Sequence, residues 1–537
     1  MKKLVVLLAV IAAGAILWSS RTKTPPPQAE KVLTIATPYG IGTFSPWLFT
    51  SDGDRYVISN VYESLCESNT GAKDGQNFVP ILAESWSYTD DTTCVFKLRN
   101  DIYWQSEGNE LFKEKTLVTA SDVKAVFDFN MDKANLATQY GDLISIIDRI
   151  DADDSARTVT FHTKTPTSLL IKEVSDVLIF PIKAIREKYN LEEHPVGTGA
   201  FIIKEYKVDD SITLVPNPDA RVKPNLTKVI FKIVPDKSVA AISLQNKEVD
   251  IVPQLLTADI GAVAKRDFLS VLPNTLGWYR YLAFNCEREM FQDVRVRQAI
   301  GMCIDQKAIV DTIFGNDFGA TIAVCTYSGG VPLELEGADL ETWKSLFEYN
   351  PGKAEQLLQE AGYQKNASGI YEKDGKALRF VVQSPANDNN RIKFGEMAVT
   401  YMKAIGIDAA SQPTEWATHT ADIRAGNCDM FIMGGGSTIG GMNMLYHSVG
   451  MQGMSHNTRL YDKEMDALLD RGYATVDDAR RVEILKEAAV HAIKNHVHAA
   501  GYDEYVQIGM NRRVRDFDKS PSLWYGLCNE YRNIDVK

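Results

Sequence analysis

The residues able to do chemistry fall at spacings that exclude most catalytic arrangements. Gly352-Lys353 and Gly375-Lys376 are each followed by Ala, where a phosphate-cradling loop needs Ser or Thr. No H-E-x-x-H zinc helix is present. Ser437, in the run Gly434-Gly435-Gly436-Ser437-Thr438-Ile439-Gly440-Gly441, lacks the closing Gly of a nucleophile elbow, and the run also fails G-x-G-x-x-G. Such a run offers backbone that a ligand can approach closely; a plain strand-to-helix loop is the alternative. Asp and Glu total 70, yet no spacing pairs two of them as acid and base. Cysteines at 66, 94, 286, 303, 325, 428 and 528 contain no C-x-x-C, which argues against a ribbon-type zinc site. An oxidising compartment permits disulfides, and seven cysteines leave at least one unpaired. His496 and His498 share a face if their segment is a strand, where pairing or exposure explains them. Nothing fixes the direction of His419 or His447. Trp416 reads as core in preference to cleft lining.

The elements that must position these groups alternate. Val32 to Thr37 reads as a β-branched strand, followed by a glycine-bearing loop from Tyr39 to Pro46. Cys94 to Arg99 predicts a strand after the turn at Asp90-Asp91, and Ser121 reads as the N-cap of the helix that follows. Residues 157–163 and 227–234 alternate in the strand period. From Asp293 to Ile313, Val296, Ala299, Ile300, Cys303 and Ile304 trace one helical face. Ala354, Leu357, Leu358 and Ala361 trace another, closed by Gly362. A strand over 378–383, a helix over 391–404 and helices within 463–494 complete the pattern. The class is α/β. With no internal repeat and no low-complexity linker, two lobes should be joined by extended strands.

A chain of 537 residues predicts two or more domains. Its 45% apolar and 24% charged residues are ordinary for a globular protein and exclude a disordered or polytopic membrane chain. Lys2 and Lys3 precede an apolar run from Leu4 to Trp18, then a polar exit and Pro25-Pro26-Pro27. That pattern matches a secretory signal. The run is shorter than the ~20 residues that span a bilayer comfortably; an uncleaved anchor with a Pro-rich tether is the alternative. No Cys precedes Cys66, so no lipid-modified N-terminal cysteine is available. The formal net charge is −12. Residues 1–29 hold four of the 58 basic side chains and no acidic one, so removing them leaves 54 against 70, a net of −16. An acidic body is a poor partner for nucleic acid or anionic lipid.

Several segments, in order, resemble the family 5 extracellular solute-binding proteins, the peptide- and nickel-binding components of ABC importers. Pro80-Ile81-Leu82-Ala83-Glu84-Ser85-Trp86 through Leu98-Arg99, with Trp104 and Ser121-Asp122-Val123, is similar to one family block. Val196-Gly197-Thr198-Gly199-Ala200-Phe201 resembles its "GTGPy", with Ala200 for Pro. Glu248-Val249-Asp250-Ile251, Val294 to Ile300 with Ile304-Asp305, and Pro351 to Tyr363 resemble three more. The resemblance implies a two-lobed periplasmic-binding-protein fold, type II-like, with strand hinges and a ligand cleft between lobes. It implies a first lobe of 31–284 plus 500–537 and a second of 285–499, with crossings near 281–285 and 498–502. It further implies a monomeric, non-enzymatic periplasmic protein that hands its solute to a membrane permease. Turnover of a peptide or ester would mark an exported hydrolase instead.

For the ligand, the resemblance divides. Peptide-binding members hold an ammonium with an Asp in a "W-x-x-D" segment; here Gly435 replaces the Trp and Thr438 falls at the Asp, with Gly436 between. An ammonium buried without its carboxylate would be costly to desolvate. Nickel-binding members have an "L-Y-T" pocket loop, similar to Leu48-Phe49-Thr50. They use a His preceded by Ser, the place of Ser455-His456. Neutral imidazole suits Ni2+, while Met442, Met444, Met451 and Met454 in the same stretch are softer. The chelator-holding Arg of those members has no counterpart in Lys172 to Val177. Asp176, with Asp52 and Asp54, is expected to make the pocket acidic and favour a cationic solute. The ligand expected first is nickel or a nickel chelate, bound by His456 and lined by Phe49, Thr50, Asp54, Asp176, Gly435, Gly436 and Thr438. A short peptide is the second.

Overall fold

The computed structural model describes residues 30–49, 51–68, 78–315, 320–322, 335–435, 442, 445–449, 458–517, 523–524, 527–528 and 531–537. The signal or anchor expected at 1–29 lies outside them. Two sheets carry the fold. In chain order their strands are β1 (Val32–Thr37), β2 (Ala83–Asp90), β3 (Thr93–Leu98), β4 (Ile147–Asp153), β5 (Thr158–Thr163), β6 (Phe201–Lys207), β7 (Ser211–Pro216) and β8 (Lys228–Ile233). Then follow β9 (Ile251–Val252), β10 (Leu269–Phe284), β11 (Ala320–Ile322), β12 (Arg379–Pro385), β13 (Asp408–Thr414), β14 (Met430–Gly435) and β15 (His498–Asn511). The larger sheet runs β6-β7-β8-β1-β9-β15-β10-β14-β12-β13, with β11 beside β15; the smaller is β2-β3-β5-β4.

The helices that pack on these two sheets or flank their loops are α1 (Asp52–Ile58), α2 (Ala120–Asn130), α3 (Leu170–Ser175), α4 (Lys237–Gln245), α5 (Val294–Met302), α6 (Gln306–Phe314), α7 (Pro351–Glu360), α8 (Asn389–Ile405), α9 (Trp416–Ala425), α10 (Lys463–Ala474) and α11 (Asp478–Lys494), with α2 on the smaller sheet. Thr119, not Ser121, caps α2: its hydroxyl accepts from the Asp122 N–H, and the Asp122 carboxylate accepts from the Thr119 N–H. That reciprocal box outcompetes Ser121, whose hydroxyl donates to Asp154 at 2.7 Å. The helical face read from Asp293 to Ile313 is two helices, because Asp305 caps a new one by accepting from the Ala308 N–H.

β10 and β15 explain the lobes. They span 16 and 14 residues and pair antiparallel from Leu269↔Asn511 to Ala283↔His498. At ~3.3 Å per residue β10 is roughly 50 Å long, well beyond an ordinary strand. Their register breaks between the pairs Asn274↔Val506 and Trp278↔Glu504. Before the break, Leu33, Ile35, Val229 and Phe231 share a core with Ile508 and Met510. After it, Leu282, Phe284 and Tyr502 pack with α5, α6 and α8, and Tyr279, Tyr281 and Ala283 pack with α9, α10 and α11 on the other face. Tyr281 to Phe284, and Ala500 with Tyr502, the segments expected to hold the crossings, thus pack in these two cores.

The C-terminal segment returns to the first lobe through ion pairs. Arg532 Nη1 lies 2.9 Å from Glu63 Oε1, both side chains 6% exposed, and Arg513 binds Asp250 at 2.6 Å. The Gly197-Thr198-Gly199 segment is a backbone crossing. The Gly199 N–H donates to the Val61 carbonyl at 2.9 Å, and a Cβ on either glycine would collide with the carbonyls of Asn60 and Val61. Among the described residues, no helix is long and apolar enough to cross a membrane.

Candidate functional site

Parallel strands collect loops at their carboxyl ends, where open α/β sheets bind ligands. In the first lobe, β1 leads into the Tyr39–Pro46 loop. Asp54 shapes it: Oδ1 accepts from the N–H groups of Gly42 at 2.7 Å and Thr43 at 3.2 Å, while Ser51 and Asp54 form the capping box of α1. This carboxylate is buried and committed to the backbone. Phe49, also buried, lies with its ring centroid 5.6 Å from the Arg55 guanidinium carbon. Arg55 reaches Asp176 at 3.3 Å, and Lys172 reaches Asp176 at 3.2 Å and Glu173 at 3.0 Å. Burial opposes the charge of Asp176, but Lys172 and Arg55 outweigh it and hold its carboxyl below the ordinary range. Burial pushes Glu173 up to about 7. Asp54 and Asp176, expected to make the pocket acidic, are thus engaged by backbone N–H groups and by cations respectively; the Asp52 side chain is not described. Arg55 is the residue the sequence did not reveal, because its partner lies 121 positions away.

In the second lobe, β12, β13 and β14 are parallel neighbours. β12 ends at Pro385, and Asp388 caps α8 by accepting from the Asn390 and Arg391 N–H groups. Gly434 and Gly435 end β14. A Cβ at Gly434 would meet the Arg280 guanidinium, so this glycine makes the space Arg280 occupies. Arg280 Nε donates to Glu504 Oε2 at 3.2 Å, and Asn390 Nδ2 donates to Glu504 Oε1 at 3.4 Å. Arg391 Nε stands 2.9 Å from Asp388 Oδ2, an ion pair not aligned as a hydrogen bond. The lobes touch where the Ser168 N–H donates to the Tyr473 carbonyl at 2.8 Å and Leu169 packs against both cores.

Thr50, Gly436, Thr438 and His456 lie outside the described residues, as do Met444, Met451 and Met454; Met442 packs in the core. The other histidines are structural. His498 bonds the Tyr279 hydroxyl at 2.9 Å and stacks on Tyr281, and burial lowers it to about 3, hence neutral. His496 is buried against Phe347 rather than exposed. His419 bonds the Ile432 carbonyl at 3.0 Å, pinning α9 to β14. His447 meets Asp470 at 3.2 Å. Trp416, expected in the core, is 42% exposed at the first position of α9; a helix start projects from the sheet it packs on. Cys66, Cys94, Cys286, Cys303 and Cys428 are buried free thiols, and burial pushes Cys94 up to about 12. Among the described residues no group of three His, Cys, Asp or Glu side chains is placed to hold a metal.

Two lobes joined by long strands define the two-lobed fold of a binding protein. Residues 77–455 match the bacterial extracellular solute-binding proteins, family 5 Middle, and the chain belongs to that family. It is similar to the dipeptide-binding protein of Escherichia coli (strain K12), 28% identical over 482 residues, 83% of this chain and 84% of that protein. It is also similar to di/tripeptide-binding protein 3 of Pseudomonas aeruginosa (strain UCBPP-PA14), 27% identical over 566 residues, covering 99% of this chain and 100% of the relative. Its fold matches NikZ from Campylobacter jejuni, solved in complex with Ni(L-His), at a TM-score of 0.70 and 21% identity, covering 94% of this chain and 99% of that one. The protein is a solute carrier of the cell exterior and not an enzyme.

Proposed function

We propose that this protein captures short peptides and delivers them to the permease of an ABC importer. The observation that carries this reading is the mixed charge of both half-sites. Arg55, Asp176 and Lys172 in the first lobe, and Arg280, Glu504, Arg391 and Asp388 in the second, offer partners for an ammonium and a carboxylate at once. A bare dication would meet four fixed cations, and the carboxylates nearest it are already tied to them. The peptide-binding relatives support the same reading. A nickel chelate held by His456 is the second reading, favoured by the place of Ser455-His456 in the sequence.

Capture works by hinge closure. We place the crossings at the register break of β10 and β15, so that the first lobe comprises residues 31–274 and 506–537 and the second 278–504. A peptide shifts the open–closed equilibrium by the difference in its affinity for the two states. The protein acts as a periplasmic monomer, with residues 1–29 directing export or remaining as a tether. Isothermal titration against di- and tripeptides, and against Ni2+ with histidine, tests the reading. Saturable peptide binding with a compaction in small-angle scattering is expected. Binding of the nickel chelate alone would overturn it.

A further inference from the structure

We propose that Thr167, Ser168 and Leu169 of the first lobe and Tyr473 of the second form a latch between the lobes, and that Glu173 behind it couples closure to protonation, so that acid holds the lobes shut. Three contacts of different kinds meet at this point. The Ser168 N–H donates to the Tyr473 carbonyl at 2.8 Å. The buried Thr167 side chain hydrogen-bonds the Tyr473 hydroxyl. Leu169 packs against the core of the first lobe and against the core that holds α10 and α11. Residues 167–169 lead into α3, and Tyr473 stands in the last turn of α10. They lie on opposite sides of the register break in β10 and β15, so a rotation there parts them and breaks both hydrogen bonds.

Glu173 is placed to feel that movement. Its N–H donates to the Leu169 carbonyl at 2.9 Å, one helical turn back, so the two side chains share a face of α3. It is buried, and it lies close enough to Tyr473 to act on its hydroxyl. Burial pushes that hydroxyl up, the bond to Thr167 opposes, and Glu173 and Asp142 add to the rise. The other charged and titratable groups around Glu173 belong to the first lobe. Lys172 reaches it at 3.0 Å but is shared with Asp176, which also holds Arg55 of α1. Asp142 comes from the helix Tyr140–Ile146. The strand Cys66–Ser68 brings Cys66, which meets the Ile171 carbonyl at 3.8 Å, and Glu67, which turns to Arg532 at 3.7 Å. Burial is the largest cause of the raised Glu173 carboxyl. Opening the lobes lifts Tyr473 away and admits water, so the carboxylate forms more readily in the open state. Closure is therefore favoured in acid, and that favour is lost as pH rises through the closed form's value of about 7. The latch acts whatever solute the cleft holds.

Hydrogen exchange at the Ser168 amide reads the latch directly and needs no ligand. In the wild type its protection factor is expected to fall about threefold or more between about pH 5 and about pH 8. In Glu173→Gln it should stay at the wild type's acid value across that range. Tyr473→Ala keeps the carbonyl that Ser168 bonds but uncovers Glu173; it should lower the protection in acid and flatten the profile. A role of Glu173 confined to the first lobe would leave the pH dependence intact in Tyr473→Ala and would overturn the proposal. An unprotected Ser168 amide at both pH values, or one profile shared by the wild type and Glu173→Gln, would overturn it as well.

Discussion

Replacing Glu173 with Gln is expected to remove a pH dependence built into the first lobe. Glu173 is 5% exposed on α3, next to the loop that touches the second lobe. Burial pushes its pKa from 4.5 up to about 7, despite Lys172 at 3.0 Å. Between those values the folded protein holds a proton that the unfolded chain releases. The stability associated with it is therefore fully present below about 4.5 and is lost as pH rises to about 7. At 1.36 kcal/mol per pH unit the span is worth about 3 kcal/mol. Gln keeps the shape without the charge, and Lys172 retains Asp176 at 3.2 Å. In urea titrations followed by tryptophan fluorescence, the variant should match the wild type near pH 4.5 and exceed it by up to about 3 kcal/mol at pH 8. Parallel pH profiles for the two proteins would refute the reasoning. So would a variant less stable at pH 8, which would mean that the ion pair with Lys172 outweighs burial.

Three further outcomes follow from single contacts. Arg532→Met leaves Glu63 buried without its guanidinium and should destabilise the first lobe by about 3–5 kcal/mol in urea unfolding. Gly199→Ala drives a methyl group into the Asn60–Val61 backbone and should cost about 1–3 kcal/mol, read as a lowered midpoint in calorimetry. Asp54→Ala removes the acceptor for the Gly42 and Thr43 N–H groups, at about 1.5–3 kcal/mol. Peptide affinity should fall with it, and unchanged affinity would show that the Tyr39–Pro46 loop does not face the ligand.

Local signals read true where local energetics decided. β1 runs from Val32 to Thr37, as its β-branched residues predict, and the Ala354–Ala361 face became α7, with Gly362 at positive φ beyond its end. The reading failed where two local signals competed. Asp122 chose Thr119 over Ser121 as cap, and Asp305 restarted a helix inside a continuous apolar face. The two-lobe plan was legible from ordered motifs, but the place where the strands change lobes depends on register between segments more than 200 residues apart. The site suffered most for the same reason. Asp54 and Asp176 were visible as acids, whereas the groups that neutralise or engage them, Arg55, Lys172 and the Gly42 backbone, are defined only by tertiary contact. Arg280 and Arg391 carry no motif at all, and the glycine run read as an approach for a ligand in fact makes room at Gly434 for the Arg280 side chain.

The most direct test of the peptide account is native mass spectrometry, with elemental analysis, of protein released gently from its native periplasm. The account predicts a spread of short-peptide masses on the folded protein and no stoichiometric nickel. Nickel at one equivalent with an added small-molecule mass, lost in His456→Ala, would contradict it and make the protein a nickel-chelate carrier.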